Sequence, residues 1–304
     1  MQWFKSKKSN GWTAIRSTDQ GTYIARVLKR AQQKPLVTLA ASENMSVRND
    51  IDLKPLAKKY QLAHSNVSLL LDSRDYQLVQ VEKPKVPDSE LKEAVRWQLK
   101  DSINFPVEDA TIDTIKIPRN PQAAVSEEYI YALACPNTLI ADLSNRLIDA
   151  KVNLQAIDVR MMAQRNIANL LATEGQGEAI LTFGRSAALL TFTYQGEIYN
   201  ARRIDIDEDK TSSSFEKISL ELQRSLDGFE AKFRHIFIKK LLVAPFDARE
   251  QFCEHLRDAI YTKVETFDLE DIFEFEDKSA MQDLGKQASF LHVLGAALRE
   301  EVAA

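Results

Sequence analysis

Near the start of the chain hydrophobic and polar positions alternate with a period of two. Trp12 and Ala14, then Tyr23, Ala25 and Val27, flank Asp19-Gln20-Gly21. This pattern predicts two β-strands around a turn, because Asp can bond its own backbone and Gly accepts positive φ. Extended runs over Pro35–Met45, Val67–Leu71 and Tyr76–Val81, with a short amphipathic helix over Asp52–Leu62, predict an α/β first lobe.

From Lys83 the period lengthens to that of a helix. Asp88, after Pro87, is the expected N-cap, and Leu91, Ala94, Val95, Leu99 and Ser102 share one face. Trp97 points away from that stripe; either it offers a partner surface or Ile103 to Pro106 cover it. The strands "TIDTIKI" and "YIYALAC", a helix over "PNTLIADLSNRLIDAKV" and the strand "NLQAIDVR" complete a small α+β unit. The expected division is a first lobe over 1–82, an inserted subdomain over 83–153, a return to the first lobe over 154–175, a second lobe over 176–286 and a closing helix over 287–304. The second lobe opens with a hairpin again, Ala179–Phe183 and Ala187–Tyr194, then a Gln195-Gly196 turn and Ile198–Ile206. It repeats the first lobe in weak form.

Composition narrows the field without naming a chemistry. The 304 residues are 44% apolar and 28% charged, enough for a core and about two domains. A net charge of -4 argues against nucleic acid as a partner. Two cysteines far apart, Cys135 and Cys253, suit a reducing compartment, and the basic start "MQWFKSKKSN" has no apolar segment after it, so a soluble cytoplasmic protein is expected. The Trp3 to Lys8 tip is too short to anchor a membrane by itself and is expected to be a solvated end.

Two hairpin-led lobes, an insertion in the first and a terminal helix returning to it resemble the actin-like superfamily. The segment "PDSELKEAVRWQLKDSINFPVEDATIDTIKIP" resembles the inserted subdomain of the PilM family of type IV pilus assembly, and "LGAALRE" its C-terminal helix. Gly11-Trp12 and "AVRWQLKDSINFPVED" are most similar to the MshI-type members, which serve mannose-sensitive haemagglutinin (MSHA) pili. The resemblance implies an actin-like, two-lobed scaffold at the cytoplasmic face of the inner membrane. It would bind the cytoplasmic N-terminal tail of a PilN-like membrane protein in a groove between first lobe and insertion. Arg96, Trp97, Lys100 and Phe105 are the candidate groove residues, for aromatic anchoring and charge pairing. Other platform or motor proteins and a homodimer are further partners in this reading, with membrane contact only through the partner.

In actin-like ATPases, an Asp followed by a Gly in each hairpin organises Mg²⁺ around the phosphates of ATP. Here Arg16-Ser17-Thr18 stands at the first such place and Thr182-Phe183-Gly184 at the second. Ala244-Pro245-Phe246 replaces the expected Gly-rich adenosine loop, and Pro supplies no N–H. The expectation is therefore a degenerate nucleotide site at Arg16, Ser17, Thr18, Thr182 and Gly184, with no catalysis and no cofactor. Arg16, or Ser17 and Thr18, could still hold a phosphate without Mg²⁺. The rival reading is an ATP-binding protein or ATPase that uses displaced acids, Asp19 or Asp205.

Other candidate chemistry is thin. The four histidines lack metal-ligand spacing, and Cys253 and His255 fall on opposite sides of a helix. Ser212 to Ser214 are expected in a solvated loop. Ile272, Phe273 and Phe275, set in an acidic frame, are expected either to dock a partner or to bury against the second lobe.

Overall fold

The computed structural model describes residues 11–18, 21–49, 51–121, 128–206, 212–277 and 281–300. The Trp3 to Lys8 tip, Asp19 and the acidic run from position 207 lie outside the described residues. The chain begins with β1 (Trp12–Thr18), β2 (Gly21–Leu28), β3 (Leu36–Glu43), α1 (Lys54–Lys59) and β4 (Asn66–Leu70). Next come β5 (Gln77–Glu82), α2 (Leu91–Leu99), β6 (Ala110–Lys116), β7 (Tyr129–Pro136), α3 (Asn137–Asp149), β8 (Leu154–Asp158) and α4 (Arg160–Leu171). The second half comprises β9 (Gly177–Phe183), β10 (Ala187–Tyr194), β11 (Glu197–Asp205), α5 (Ser212–Lys232), β12 (Ile238–Val243) and α6 (Arg249–Ala259). It closes with β13 (Lys263–Thr266), α7 (Leu269–Ile272), β14 (Glu274–Phe275) and α8 (Leu284–Ala297).

Two sheets carry the two lobes in matching order. The first runs β14-β3-β2-β1-β4-β8 and the second β11-β10-β9-β12-β13. In each, an antiparallel three-strand meander is followed by two parallel strands reached through helical crossovers. The duplication visible in the hairpins thus extends through five strands. Parallel strands in such a sheet are covered on both faces, which is why β9 is buried at all seven positions.

The first sheet places small residues on one face and large ones on the other. Ala14 and Ala25 meet the central helices α4 and α8, while Ile15 and Ile24 pack with Leu56 of α1 and Leu143 and Leu147 of α3. Helix α8 is buried on nearly every side from Phe290 to Ala297, and Asn166 of α4 donates to its Gly295 carbonyl at 2.9 Å. α4 and α8 share one core with Ile180 and Leu242 of the second sheet, so the lobes meet through them. The far face of the second sheet is closed by α5 and α6, with Phe192 stacked on Phe229.

Several sequence expectations need correcting. The third sheet, β5-β7-β6, includes β5, and α3 packs on the first lobe, so the inserted sheet runs from Gln77 to Pro136 rather than over 83–153. Alternation shows that β5 is a strand but not which sheet it joins. Phe273 and Phe275 bury against the first lobe, β14 pairing with β3, because the chain crosses back before α8. That crossing precedes the boundary set at 287, and α8 itself starts at Leu284. Ser212 to Ser214 form the first turn of α5 instead of a loop. Asp88 does not cap α2; its carboxylate faces Lys83 and Lys116.

Candidate functional site: the interlobe cleft and the groove beside the insertion

A cavity of about 560 Å³ opens between the lobes. Its walls come from the ends of β1 and β4, the start of α4, the β9–β10 turn, the segment after β12 and the first turns of α8. Arg16, at the end of β1, reaches Asp72 Oδ2 at 3.6 Å and donates to the Ser289 carbonyl at 3.4 Å, while its Nε is buried without a partner. Asp72 also faces Arg74 Nε at 3.4 Å. Burial pushes the Asp72 carboxyl up, but Arg16, the Arg74 backbone N–H and the nearby arginines together hold it below the usual carboxylate range.

Behind them sits Arg160, the first residue of α4, only 5% exposed. Burial, and then repulsion from Arg16, push its guanidinium down to about 10, with Tyr76 and Asp72 opposing. A β-carbon at position 184 would lie 2.9 Å from the Ala187 carbonyl oxygen and 3.0 Å from Arg160 Nη1, so Gly184 leaves room for that guanidinium.

The second hairpin contributes differently. Thr182 is 2% exposed and donates to Gln164 Oε1 at 2.8 Å, with His292 Nε2 at 3.3 Å. Gln164 in turn donates to the Ile180 and Leu189 carbonyls and to Thr191. Burial drives His292 well below its ordinary value, and Arg160 and Arg16 add to this, so the ring is neutral.

The sequence candidates therefore separate. Arg16, Thr18 and Gly184 line the cleft. Ser17 does not: its hydroxyl lies 2.9 Å from that of Ser46 and accepts the Val47 N–H on the other side of the strand. Thr182 is buried beneath the cleft in the Gln164 network. Asp205, the displaced acid of the rival reading, pairs with Arg203 at 2.8 Å and does not line the cleft. Among the described residues no three His, Cys, Asp or Glu side chains converge as metal ligands, and the only cleft carboxylate beside Arg16 is already held by arginines. The cleft's other carboxylate, Asp247, lies by Gly285 at the start of α8, so the described lining holds two aspartates among four arginines and lacks the cluster of acids that would suit Mg²⁺-nucleotide. Sequence reading missed Asp72, Arg160 and His292, which come from separate segments; the one local signal was a charged Asp158-Val159-Arg160 step closing an apolar strand.

A second cavity, about 590 Å³, lies along β5. Residues 76–80 form one wall and Ala187, Leu189, Ala201 and Arg203 of the second lobe the other. Among the described residues β5 pairs with β7 alone, so it is an edge strand. The insertion is tied across this boundary: the Ala201 N–H donates to Tyr131 Oη at 2.7 Å, and Ile117 and Tyr131 pack with Ile198. The groove runs between insertion and second lobe, and the first lobe closes it with Ser73, Arg74, Arg160 and Met161.

None of the four groove candidates lines it. Arg96 donates to the Val107 and Ala110 carbonyls and meets Glu93, stapling α2 to the segment before β6. Phe105 packs in the insertion core, and Lys100 is exposed away from the cavity. Trp97 is 68% exposed, and Ile103 and Phe105 turn into the insertion core instead of covering it.

The chain is similar over almost its whole length to solved structures. A PilM-PilN type IV pilus biogenesis complex matches with TM-score 0.70 and 16% identity, covering 96% of this chain and 98% of that chain. A Bacteroides thetaiotaomicron protein with actin-like ATPase fold and unknown function matches with TM-score 0.55 and 9% identity, over 99% and 100% of the two chains. The fold is actin-like. The cytoplasmic domain of EpsL, an inner-membrane component of the type II secretion system of Vibrio cholerae, matches with TM-score 0.53 and 12% identity, over 95% of each chain. No protein-family profile and no curated protein matches the sequence. The interlobe cleft is lined by four arginines and by Asp72 and Asp247, with Thr182 buried beneath it.

Proposed function

We propose that this chain is a PilM-type scaffold, of the MSHA-pilus kind, that works at the cytoplasmic face of the inner membrane. It binds the cytoplasmic N-terminal tail of a PilN-like membrane protein and does not turn over ATP. The observation that carries this reading is the unpaired edge of β5 along an open groove. An extended peptide can add to such an edge through main-chain hydrogen bonds while pockets select its side chains. Three arginines and no acidic residue line the groove, which favours an acidic or polar peptide. The likeness to a PilM-PilN complex and the absence, among the described residues, of a helix long and apolar enough to cross a membrane both accord with a scaffold that reaches the membrane through its partner. The lack of fit to Mg²⁺-nucleotide supports the non-enzymatic part.

The test is direct binding of a synthetic peptide carrying the cytoplasmic tail of the cognate PilN-like protein, followed by fluorescence anisotropy. Gln80→Trp and Asn104→Trp, which fill the groove from exposed positions, are expected to weaken binding about tenfold or more. Trp97→Ala is expected to leave it unchanged. Equal binding by all three variants, or no binding by the parent chain, overturns the reading. Phosphate release from Mg²⁺-ATP above background would return the chain to the ATPases.

A further inference from the structure

The two faces of the inserted sheet pack against different partners. Ile112, Ile130, Ala132 and Ala134 lie under Leu91, Val95 and Leu99 of α2, which gives the insertion a core of its own. Tyr131 alternates with Ile130 and Ala132 along β7 and so takes the other face. It is 3% exposed and packs with Ile117, with Met161 of α4 and with Ile198 of the second lobe. At that point the β10–β11 ladder shifts register: Phe192 pairs with Asn200 and Thr193 with Ile198, which leaves Tyr199 as the extra residue. A bulge of this kind re-aims its neighbours. Tyr199 packs in the second-lobe core against Phe233, while Ile198 and Ala201 go to the insertion. Among the described residues β11 is the outer strand of its sheet, and its Ala201 N–H donates to Tyr131 Oη at 2.7 Å. The contact is small beside the core built on α4 and α8, and limited contacts of this size between parts of a chain leave relative motion as the default.

We infer that the insertion is a latch between the lobes, closed where Tyr131 and Ile117 dock on β11, and that a peptide lying along β5 holds it shut. Two sheets joined through a pair of helices can swing about them, and here those helices are α4 and α8. A second attachment at β11, carried by a unit that interrupts the first lobe, removes that freedom while it is closed. The groove opens on the same seam, because Tyr131 and Ala201 line it as well. Its walls are residues 76–80 on one side and Ala187, Leu189 and Arg203 of the second lobe on the other. A peptide touching both walls makes its full set of contacts only while the latch is closed, so it binds that state better and shifts the population toward it. The holding of the latch by peptide rests on the tail-binding reading; the latch itself does not.

The experiment measures the distance between the lobes in the full chain by pulsed electron spin resonance. Cys135 and Cys253 are buried, so spin labels go to the exposed positions Lys58→Cys of α1 and Lys217→Cys of α5. The parent is expected to give one narrow distribution. Ile198→Asp puts a charge into the latch at a residue that packs there and not in the second-lobe core, and is expected to add a population at longer distance. Tyr131→Phe removes the acceptor of the Ala201 N–H; it is expected to add a smaller such population and provides the readout if Ile198→Asp does not fold. Saturating tail peptide of the cognate PilN-like protein is expected to return both variants toward the parent distribution. By reciprocity Ile198→Asp is expected to bind that peptide about fivefold more weakly than the parent. Variant distributions identical to the parent's, or a parent distribution already broad, overturn the latch. So does faster hydrogen exchange at the Ala201 amide with the lobes no further apart. Peptide that binds by anisotropy yet leaves the variant distributions broad overturns the holding of the latch alone, whereas peptide that does not bind the parent overturns that part together with the tail reading.

Discussion

The two hairpins that open the lobes have the same strand order and directions but opposite cleft chemistry. In the first, β1 ends in a cation: Arg16 faces the cavity beside Asp72. In the second, β9 ends in a neutral hydroxyl: Thr182 is sealed under the cleft by Gln164 and His292. One hairpin presents a positive charge to the cleft, and the other presents neither charge nor access. Backbone hydrogen bonding and burial maintain a hairpin's shape, so shape survives a change of side chain that chemistry does not.

The sharpest way to break this contrast is to put an acid back in each hairpin. Thr182→Asp would place a carboxylate at a 2% exposed position next to Gln164 Oε1, and is expected to cost about 3–5 kcal/mol in urea unfolding. Arg16→Asp, opening on the cavity and close to Arg160, is expected to change stability by about 1 kcal/mol or less. Similar losses from both would sink the distinction between a sealed and an open hairpin.

The glycines discriminate next. At Gly21 φ is +146° and a β-carbon would meet the Glu43 carbonyl oxygen at 2.3 Å. Gly21→Ala is therefore expected to cost about 2–4 kcal/mol, by backbone strain plus a clash that only β3 could relieve. Thr182→Val comes third. It removes one donor to Gln164 and is expected to cost about 1 kcal/mol, measured as a shift in urea midpoint with unchanged slope.

His292 supplies a pH signature for the sealed hairpin. Its folded-state value is depressed, so below about pH 6.5 the unfolded chain binds a proton that the folded chain refuses, and stability falls as the pH falls. The slope attributable to it is expected to be at most about 1.4 kcal/mol per pH unit. Subtracting the profile of His292→Asn from that of the parent isolates it from Asp158 and Glu178, whose carboxyls burial raises. A difference profile flat between about pH 6.5 and about pH 5 removes His292 from this role. The smallest effect is expected at the insertion: Trp97→Ala should move stability by about 0.5 kcal/mol or less, since its ring is already in water.

Much of this protein was legible along the chain. The strand pairs, the Gln195-Gly196 turn and the buried stripe Leu91, Val95 and Leu99 follow from periods of 2 and 3.6 that need no tertiary information. The presence of Arg16 and Thr182 near the ends of β1 and β9 was equally visible. Arg96 was harder, because the helix face that suggests peptide binding also lets it reach the Val107 and Ala110 carbonyls. Ser17 differs from its neighbours Arg16 and Thr18 only in strand parity, which sends it to the opposite face.

By itself, the sequence determined that two α/β lobes form, that a small α+β unit interrupts the first, and that Arg16 and Thr182 stand near the ends of the strands that open the two lobes. These are local properties, set by hydrophobic period and residue identity. Tertiary structure decided that β5 belongs to the insertion and lies open along a groove, and that α3 and β14 return to the first lobe. It also brought Arg160, Asp72 and His292 around Arg16. The reason is distance along the chain: residues separated by scores of positions become neighbours only once the sheets have stacked on α4 and α8, and no local pattern encodes which charges will then be left facing one another.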